Sequence, residues 1–589
     1  MPKLWRIQPY DRERIAALGK ASGVSPVVAQ LLMARGIVGQ DEIRDFLECK
    51  LSSLRDPALL PGVREAAALL MSAVRERRKI TVYGDYDVDG MTAVSLLLQC
   101  LRLLGGDANF YVPRRIEEGY GLNAEALRSL AAAGTKVVVT VDCGISGVSE
   151  SLVARELGLE LIITDHHEFA AELPTAAAIV HPRLPGTSYP FAGLSGAGVA
   201  LKVAWELCRQ ADGATKVSPR MRDFLMSAVG LAALGTVADV VPLTDENRIL
   251  VNHGLASLKE RPSLGLEALL RVTELAKKDK LDSEDVAFML APRLNAAGRL
   301  GQAELGVELL TTTSSERAQA LAEYVHELNA NRQSLERSIY ITAHKQITEK
   351  FDAENDAAFV VADADWHPGV IGIVAGRLTE KFNRPVIVIA LDKLGIKPGT
   401  GSARSVAGLE LHRALEACSH HLVGHGGHAA AAGLKIEERK LDDFRADFCE
   451  YVASELRNAS RTAELVIDAE VPISALTLEA LAQMEKLAPF GQANPRPTFC
   501  AVGLTLDEPP KKIGGGGRHL ALKLTQHRNQ IRAVSFGNGD WAEELERIEG
   551  PIDVAFRPVI NEFRGRRNIE LQVVDWRISN SAKIGATQT

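Results

Sequence analysis

Residues 80–92 read ITVYGDYDVDGMT, an apolar run of strand type that breaks into Asp85, Asp87 and Asp89 and then into a helical pattern. Three carboxylates within five residues repel one another unless a cation or open solvent relieves them. Oxygen ligands of this kind suit hydrated divalent metals. A solvated acidic turn is the plainer reading, because charge clusters are commonly wet surface. The string also matches the opening of a calcium EF-hand loop, D-x-D-x-D-G, but its twelfth position is Leu96, where a bidentate Glu belongs. An EF loop also joins two helices, whereas Ile80, Thr81, Val82 and Tyr83 read as a strand.

Outward from this stretch, apolar runs of strand type alternate with helical patterns. ITVY, a helix over residues 92–104, ANFYVP, a helix over 124–133, KVVVTV, a helix over 149–156 and LELIIT follow one another. That alternation predicts an α/β fold of βαβ units with a mostly parallel sheet. Ligands of such sheets gather beyond the carboxyl ends of the strands. Asp142 follows KVVVTV, and Asp165, His166, His167 and Glu168 follow LELIIT. Asp239 ends the long apolar segment LAALGTVADVVPL. One Asp after a strand is commonly a helix cap or turn residue, and one His pair is commonly surface or core packing. Four such segments at one sheet edge can instead ligate two adjacent divalent ions.

The bulk properties bound the rest. A chain of 589 residues exceeds what one core serves, so two to four domains are expected. The N-terminus has no apolar signal-peptide core after its charges, and the apolar run over residues 224–238 reads as too short to span a bilayer. Seven cysteines without a C-x-x-C pair predict reduced thiols, a cytoplasmic location and no disulfide framework or zinc ribbon. The net charge of −7 argues weakly against nucleic acid, but bound cations offset acidic ligands, so local basic patches matter more.

Residues 1–75 read as a helical N-terminal extension, and 293–345 as a polar connecting helix with Arg293 and Arg299 at its start. A second α/β unit follows with AFVVAD, PVIVIAL, Ser402 and Arg404 between glycines, and a Gly-His run ending at His428. Hydroxyl, guanidinium and amide groups there all donate to phosphate oxygens. His420, His421, His425 and His428 suggest zinc, but no thiolate accompanies them and phosphate binding already explains the glycine spacing. From residue 464 short alternating runs predict an all-β barrel. Residues 511–577 hold twelve Lys or Arg against nine Asp or Glu, the right sign for tracking a nucleic-acid backbone. Residues 514–518 and 564–567 read as basic hairpin tips, or as solubilising loops.

DYDVDG, VDCGIS, TDHHE and ADVVPL, in this order, resemble the four motifs of the DHH phosphoesterase superfamily. VPRRIEEGYGLN and APRLNAAGRLG resemble its single-strand-specific 5′-to-3′ exonuclease branch, and the likeness runs on to the C-terminal module. The resemblance implies a DHH domain over 76–325, a connecting helix over 326–345, a DHH-associated α/β domain over 346–458, an OB fold over 459–578 and a tail over 579–589. It implies two Mn²⁺ or Mg²⁺ ions, manganese favoured, one held by Asp87, Asp142 and Asp239 and the other by Asp89, Asp142 and His166. Asp85 would support the cluster, and His167, with Asp165, would lie near the scissile phosphate. Arg115, Ser402 and Arg404 would take the 5′-terminal phosphate, although Arg114 stands where the motif carries Asn. Tyr120 would stack on a base, Arg299 would face the DNA, and His428 would belong to the substrate motif.

Three functions compete. A metal-dependent exonuclease degrading single-stranded DNA to mononucleotides, in recombination and repair, accounts for every segment. A phosphodiesterase of short or cyclic nucleotides would need neither the barrel nor the EGYG segment. A non-catalytic DNA-binding scaffold would have lost metal ligands, and all eight Asp and His of the set are present. The exonuclease reading carries single-stranded DNA, a helicase and a single-strand-binding protein as partners, and no membrane.

Overall fold

All four residues of the strand Ile80–Tyr83 are buried, and so are all five of Val137–Val141. Strands buried on both faces need neighbours on each edge and helices above and below. In the computed structural model, which describes residues 3–115, 118–169, 171–213, 216–352, 355–457, 463–563 and 566–579, both requirements are met. Five parallel strands lie in the spatial order Ala108–Tyr111, Ile80–Tyr83, Val137–Val141, Glu160–Thr164 and Ala178–Val180. Ile80 stands opposite both Ala108 and Val137. The order of winding reverses between Ile80–Tyr83 and Val137–Val141, which opens the crevice where ligands of doubly wound sheets bind. Asp85 and Asp142 leave the sheet on either side of that crevice.

The helix after Ile80–Tyr83 starts at Val88, ahead of the expected residue 92, because the Asp87 side chain accepts from Gly90 N and caps it. Asp89 therefore sits in its first turn. The helix Pro219–Ala238 has 20 residues and is long and apolar enough, by length and composition, to cross a membrane, which corrects the expectation that this run is too short. Its apolarity has a local use, since Ala232, Ala233 and Leu234 are fully buried in the core shared with Val88–Leu103 and Gly196–Asp212.

The connecting helix is Ser315–Lys350 with 36 residues, longer than the expected 326–345, while the start of the polar stretch read over 293–345 is broken into the separate helices Ala291–Arg299 and Glu304–Thr311. Leu321, Val325 and Leu328 belong to the first core, and Ile339, Ala343 and Ile347 to the second, so one helix joins both. The second sheet runs Leu422–Gly427, Ala431–Ile436, Gly399–Arg404, Val386–Ala390 and Phe359–Asp363, with only the last pair parallel.

The chain divides into residues 1–50 with 462–589, and residues 51–461. The expected helical extension over 1–75 is thus split: Val63–Arg75 packs into the core of the larger unit, and residues before 51 belong with the barrel. That first segment is not wholly helical, because Leu4–Ile7 pairs in parallel with Glu464–Ile467. Trp5 Nε1 donates to Asp575 at 2.8 Å, and Val28, Leu31, Leu32 and Ile43 enter the barrel core. The barrel closes through Phe499–Leu506, Ile552–Phe563, Arg566–Ile578, Asn529–Ser535 and His519–Gln526, the last pairing back to the first. Arg564, Gly565 and the expected tail from 580 onward lie outside the described residues.

Candidate active site

The ends of three strands and two helices converge at the crevice. Asp89 is buried, and its two oxygens accept from Gly196 N at 2.6 Å and Ala197 N at 3.0 Å, the first amides of the helix Gly196–Asp212. A helix N-terminus favours negative charge, so this contact orients the carboxylate while leaving lone pairs free. Close approach depends on glycine: a Cβ at position 235 would stand 2.4 Å from Asp89 Oδ1, and one at 196 would stand 2.4 Å from Asp142 Oδ1. Asp142 itself has a φ of 60°, which turns its side chain back into the crevice.

His166 Nε2 lies 3.1 Å from Asp142 Oδ1, 3.6 Å from Asp239 Oδ2 and 3.8 Å from Asp89 Oδ2. Burial and the neighbouring His167 push its pKa down to about 3, so the imidazole is neutral. Burial and the Asp87 charge push Asp89 up to about 7, and burial with Asp89 and Asp87 pushes Asp239 up to about 9. Burial and the facing carboxylates raise Asp142 and Asp85 well above the usual range. Asp85 Oδ1, Asp142 Oδ1 and His166 Nε2 are buried without a hydrogen-bond partner. Carboxylates crowded at this spacing, with orphaned lone pairs facing one another, fit divalent cations with oxygen and imidazole ligands.

Asp85, Asp87 and Asp142 each offer a ligand atom within 4.8 Å of the others, and so do Asp89, His166 and Asp239. Asp142, His166 and His167 form a third such group. Asp239 reaches Asp89 and His166 because it caps the helix Pro219–Ala238, whose Gly235 lies against Asp89. Asp239 thus arrives from a helix, not from a strand edge.

Asp165 is held by donors of the chain itself. Its oxygens accept from Ile145 N at 2.9 Å, His166 N at 2.7 Å, His167 N at 3.1 Å and His167 Nδ1 at 2.8 Å. Burial opposes its charge, but these donors prevail and hold its pKa at about 2. Burial likewise opposes protonation of His167, and the Asp165 contact overcomes it, lifting His167 to about 9. The result is an imidazolium at the edge of the cluster. Behind it, His181 Nδ1 accepts from Arg183 N at 3.0 Å, so its Nε2 carries the proton and donates to the His167 carbonyl at 2.8 Å. Arg183 Nη2 donates to the His166 carbonyl at 2.7 Å. Neither residue was singled out by the sequence, whose only signal was HPR directly after a strand.

Tyr120 is half exposed, and its hydroxyl lies 3.0 Å from His167 Nδ1, a contact beyond the expected base stacking. Arg115 lies over the Tyr86 ring at 4.9 Å, while the backbone of Arg114 is bound in a turn to Glu118 at 2.7 Å. Arg299 Nη1 reaches the Gly369 carbonyl at 3.4 Å, and Arg404 Nη1 donates to Ser402 Oγ at 3.1 Å. Gly369 and Gly372 let this group close up: a Cβ at 369 would stand 2.1 Å from the Arg299 carbonyl oxygen, and one at 372 would stand 3.0 Å from Ser402 Oγ. Desolvation, with Arg115, Arg332 and Arg404 nearby, lowers Arg299 to about 10, so it stays charged at neutral pH. Arg293 is buried and donates to His326 Nδ1 at 3.1 Å and the Met289 carbonyl at 2.5 Å. His428 is exposed at a strand turn, held by its backbone to Ala431, and among the described residues no hydrogen bond joins its ring to the cluster.

Family models match this layout in three places: the DHH family N-terminal domain over residues 79–229, the DHHA1 domain over 355–454, and the RecJ OB domain over 467–575. The single-stranded-DNA-specific exonuclease RecJ of Escherichia coli K12 is 35% identical, covering 96% of this chain and 98% of that protein. The chain belongs to the RecJ family. The Bacillus subtilis RecJ is 37% identical over 98% of this chain and 71% of its own length. The crystal structure of RecJ in complex with Mn²⁺ from Thermus thermophilus matches with a TM-score of 0.81 at 32% identity, covering 98% of this chain and 79% of that one. The same RecJ has been solved with Mg²⁺.

Proposed function

We propose that this protein is a two-metal exonuclease that removes 5′-mononucleotides from the 5′ end of single-stranded DNA. The observation that carries the reading is the set Asp85, Asp87, Asp89, Asp142, His166 and Asp239, with three buried, unpartnered ligand atoms, beside the group formed by Arg115, Arg299, Ser402 and Arg404. Two divalent cations in the first would supply Lewis acidity and a water of lowered pKa. The second would seat the terminal phosphate, because guanidinium offers a planar fork of donors. His167, held as an imidazolium by Asp165, would donate to an oxygen of the scissile group, and Tyr120 would limit the passage by its ring. The barrel would track the rest of the strand. Action in recombination and repair, in the cytoplasm, with a helicase and a single-strand-binding protein supplying substrate, follows from the same reading.

The test is digestion of a single strand labelled at either end, with and without Mn²⁺, followed by product size over time. Immediate mononucleotide release from the 5′ end only with metal is expected. Tight binding without cleavage would support a scaffold instead, and cleavage confined to dinucleotides would support a small phosphodiesterase.

A further inference from the structure

The arginine group holds more positive charge than its assigned members account for. The helix Ser315–Lys350 places Arg332 beside Arg299, with its side chain 11% exposed. Two of its three nitrogens are occupied: Nη1 donates to Glu336 Oε2 at 2.7 Å and Nη2 to Asn329 Oδ1 at 2.8 Å. The third, Nε, is buried and has no hydrogen-bond partner. An unpaired donor on a buried charged group is costly, and such orphans mark an acceptor that arrives from outside the chain.

The surroundings show why this donor is fixed in place. Glu336 Oε1 also accepts from Arg377 Nη1 at 2.7 Å, and Arg377 stacks on Tyr340 at 4.5 Å, so both Glu336 oxygens are committed. Among the described residues Arg115, Arg299 and Arg404 have no carboxylate partner within ion-pair distance. Among the described residues Glu336 is therefore the one carboxylate bonded to this group of four guanidiniums, and it cannot turn toward the other three. A phosphate monoester carries a charge of about −1.5 to −2 at neutral pH, against −1 for a diester, and answers this imbalance better.

We infer that Arg332 is a further ligand of the strand's terminal phosphate, its Nε–H donating to a phosphate oxygen alongside Arg115, Arg299, Ser402 and Arg404. Glu336 is the positioning residue that holds Arg332 for this contact. The inference rests on the phosphate pocket of the proposed function and adds a residue on the connecting helix, so it makes that helix part of end recognition.

The test compares hydrolysis of one single strand carrying a 5′-phosphate or a 5′-hydroxyl, by the full chain with Mn²⁺, by Arg332→Gln and Arg332→Lys, and by Arg404→Gln as reference. The ratio of kcat/KM on phosphate over hydroxyl is expected to fall about tenfold in Arg332→Gln, the loss of one charge-assisted hydrogen bond, and through KM. Arg332→Lys keeps the charge without the fork and recovers part of the ratio, which also separates the effect from misfolding. Equal losses on both strands in both variants would mark Arg332 as a strut and overturn the inference. A ratio that falls for Arg404→Gln but holds for Arg332→Gln would overturn it while the pocket stands. A wild-type ratio of one would remove the pocket and the inference together.

Discussion

At the scale of single residues, Asp142 is the position on which the cluster turns. It is the carboxylate nearest His166 Nε2, its Oδ1 has no hydrogen-bond partner, and its φ of 60° is one that few side chains adopt. Asn tolerates that conformation and fills the same volume, so Asp142→Asn removes charge without disturbing the backbone. We expect Asp142→Asn to lose at least about 100-fold in turnover, more than an outer partner of a metal ligand costs, while its melting temperature in the absence of metal stays level or rises. Single-turnover hydrolysis and a thermal melt in chelator check both; full activity would exclude the proposed metal pair. Asp142 was legible because it directly follows a run of valines that only a buried strand explains. His181 and Arg183 were not, because their work is to hold two backbone carbonyls, and no side-chain pattern announces a carbonyl partner.

At the scale of elements, the helix Gly196–Asp212 brings its first amides to Asp89, and the helix Pro219–Ala238 brings Gly235 and Asp239. Gly235→Ala would put a methyl 2.4 Å from Asp89 Oδ1 and 2.5 Å from Thr92 Oγ1. An overpacked site of this kind costs about 1–3 kcal/mol, so a lower melting temperature and a higher Mn²⁺ concentration for half-maximal activity are expected together. The alternating strands and helices were legible from period alone, whereas the segment before Asp239 was legible only as a long apolar run. An apolar run can be a buried helix or a strand, and its periodicity does not decide between them. The converging elements also give the metal-free protein a pH response. Asp89 and Asp239 have folded pKa values of about 7 and about 9, above their unfolded values, so the folded state holds protons that the unfolded state has released. Their contribution to stability is present below about pH 4 and is lost as pH rises through 7 and 9. Melting in chelator should therefore drop across that window, and saturating Mn²⁺ should flatten the drop. A metal-free melting temperature that rises from pH 5 to 9 would contradict this.

At the scale of the whole molecule, the chain leaves the barrel unit at residue 50 and returns to it at 462. This was the least legible feature, because Leu4–Ile7 pairs with Glu464–Ile467 across some 460 positions and neither strand signals a distant partner. The barrel, by contrast, showed itself in the short alternating runs after residue 464. The shared unit changes what a truncation can report. Removing residues 462–589 alone takes away the barrel core against which Val28, Leu31, Leu32 and Ile43 are buried, and it leaves Leu4–Ile7 without its pairing strand. Exposed apolar faces and a bare strand edge favour aggregation. A chain of residues 1–461 should therefore aggregate, while 51–461, which removes the entire unit, should stay soluble and keep the metal cluster and the arginine group. On a short single strand at saturating concentration, 51–461 should hydrolyse at close to the full-length rate. Its KM on a long strand should rise and lose most of its salt dependence, because the basic segment 511–577 of the barrel supplies contacts to the DNA backbone. Equal KM values and salt slopes for 51–461 and the full chain would exclude the barrel from substrate binding and leave end recognition to the arginine group.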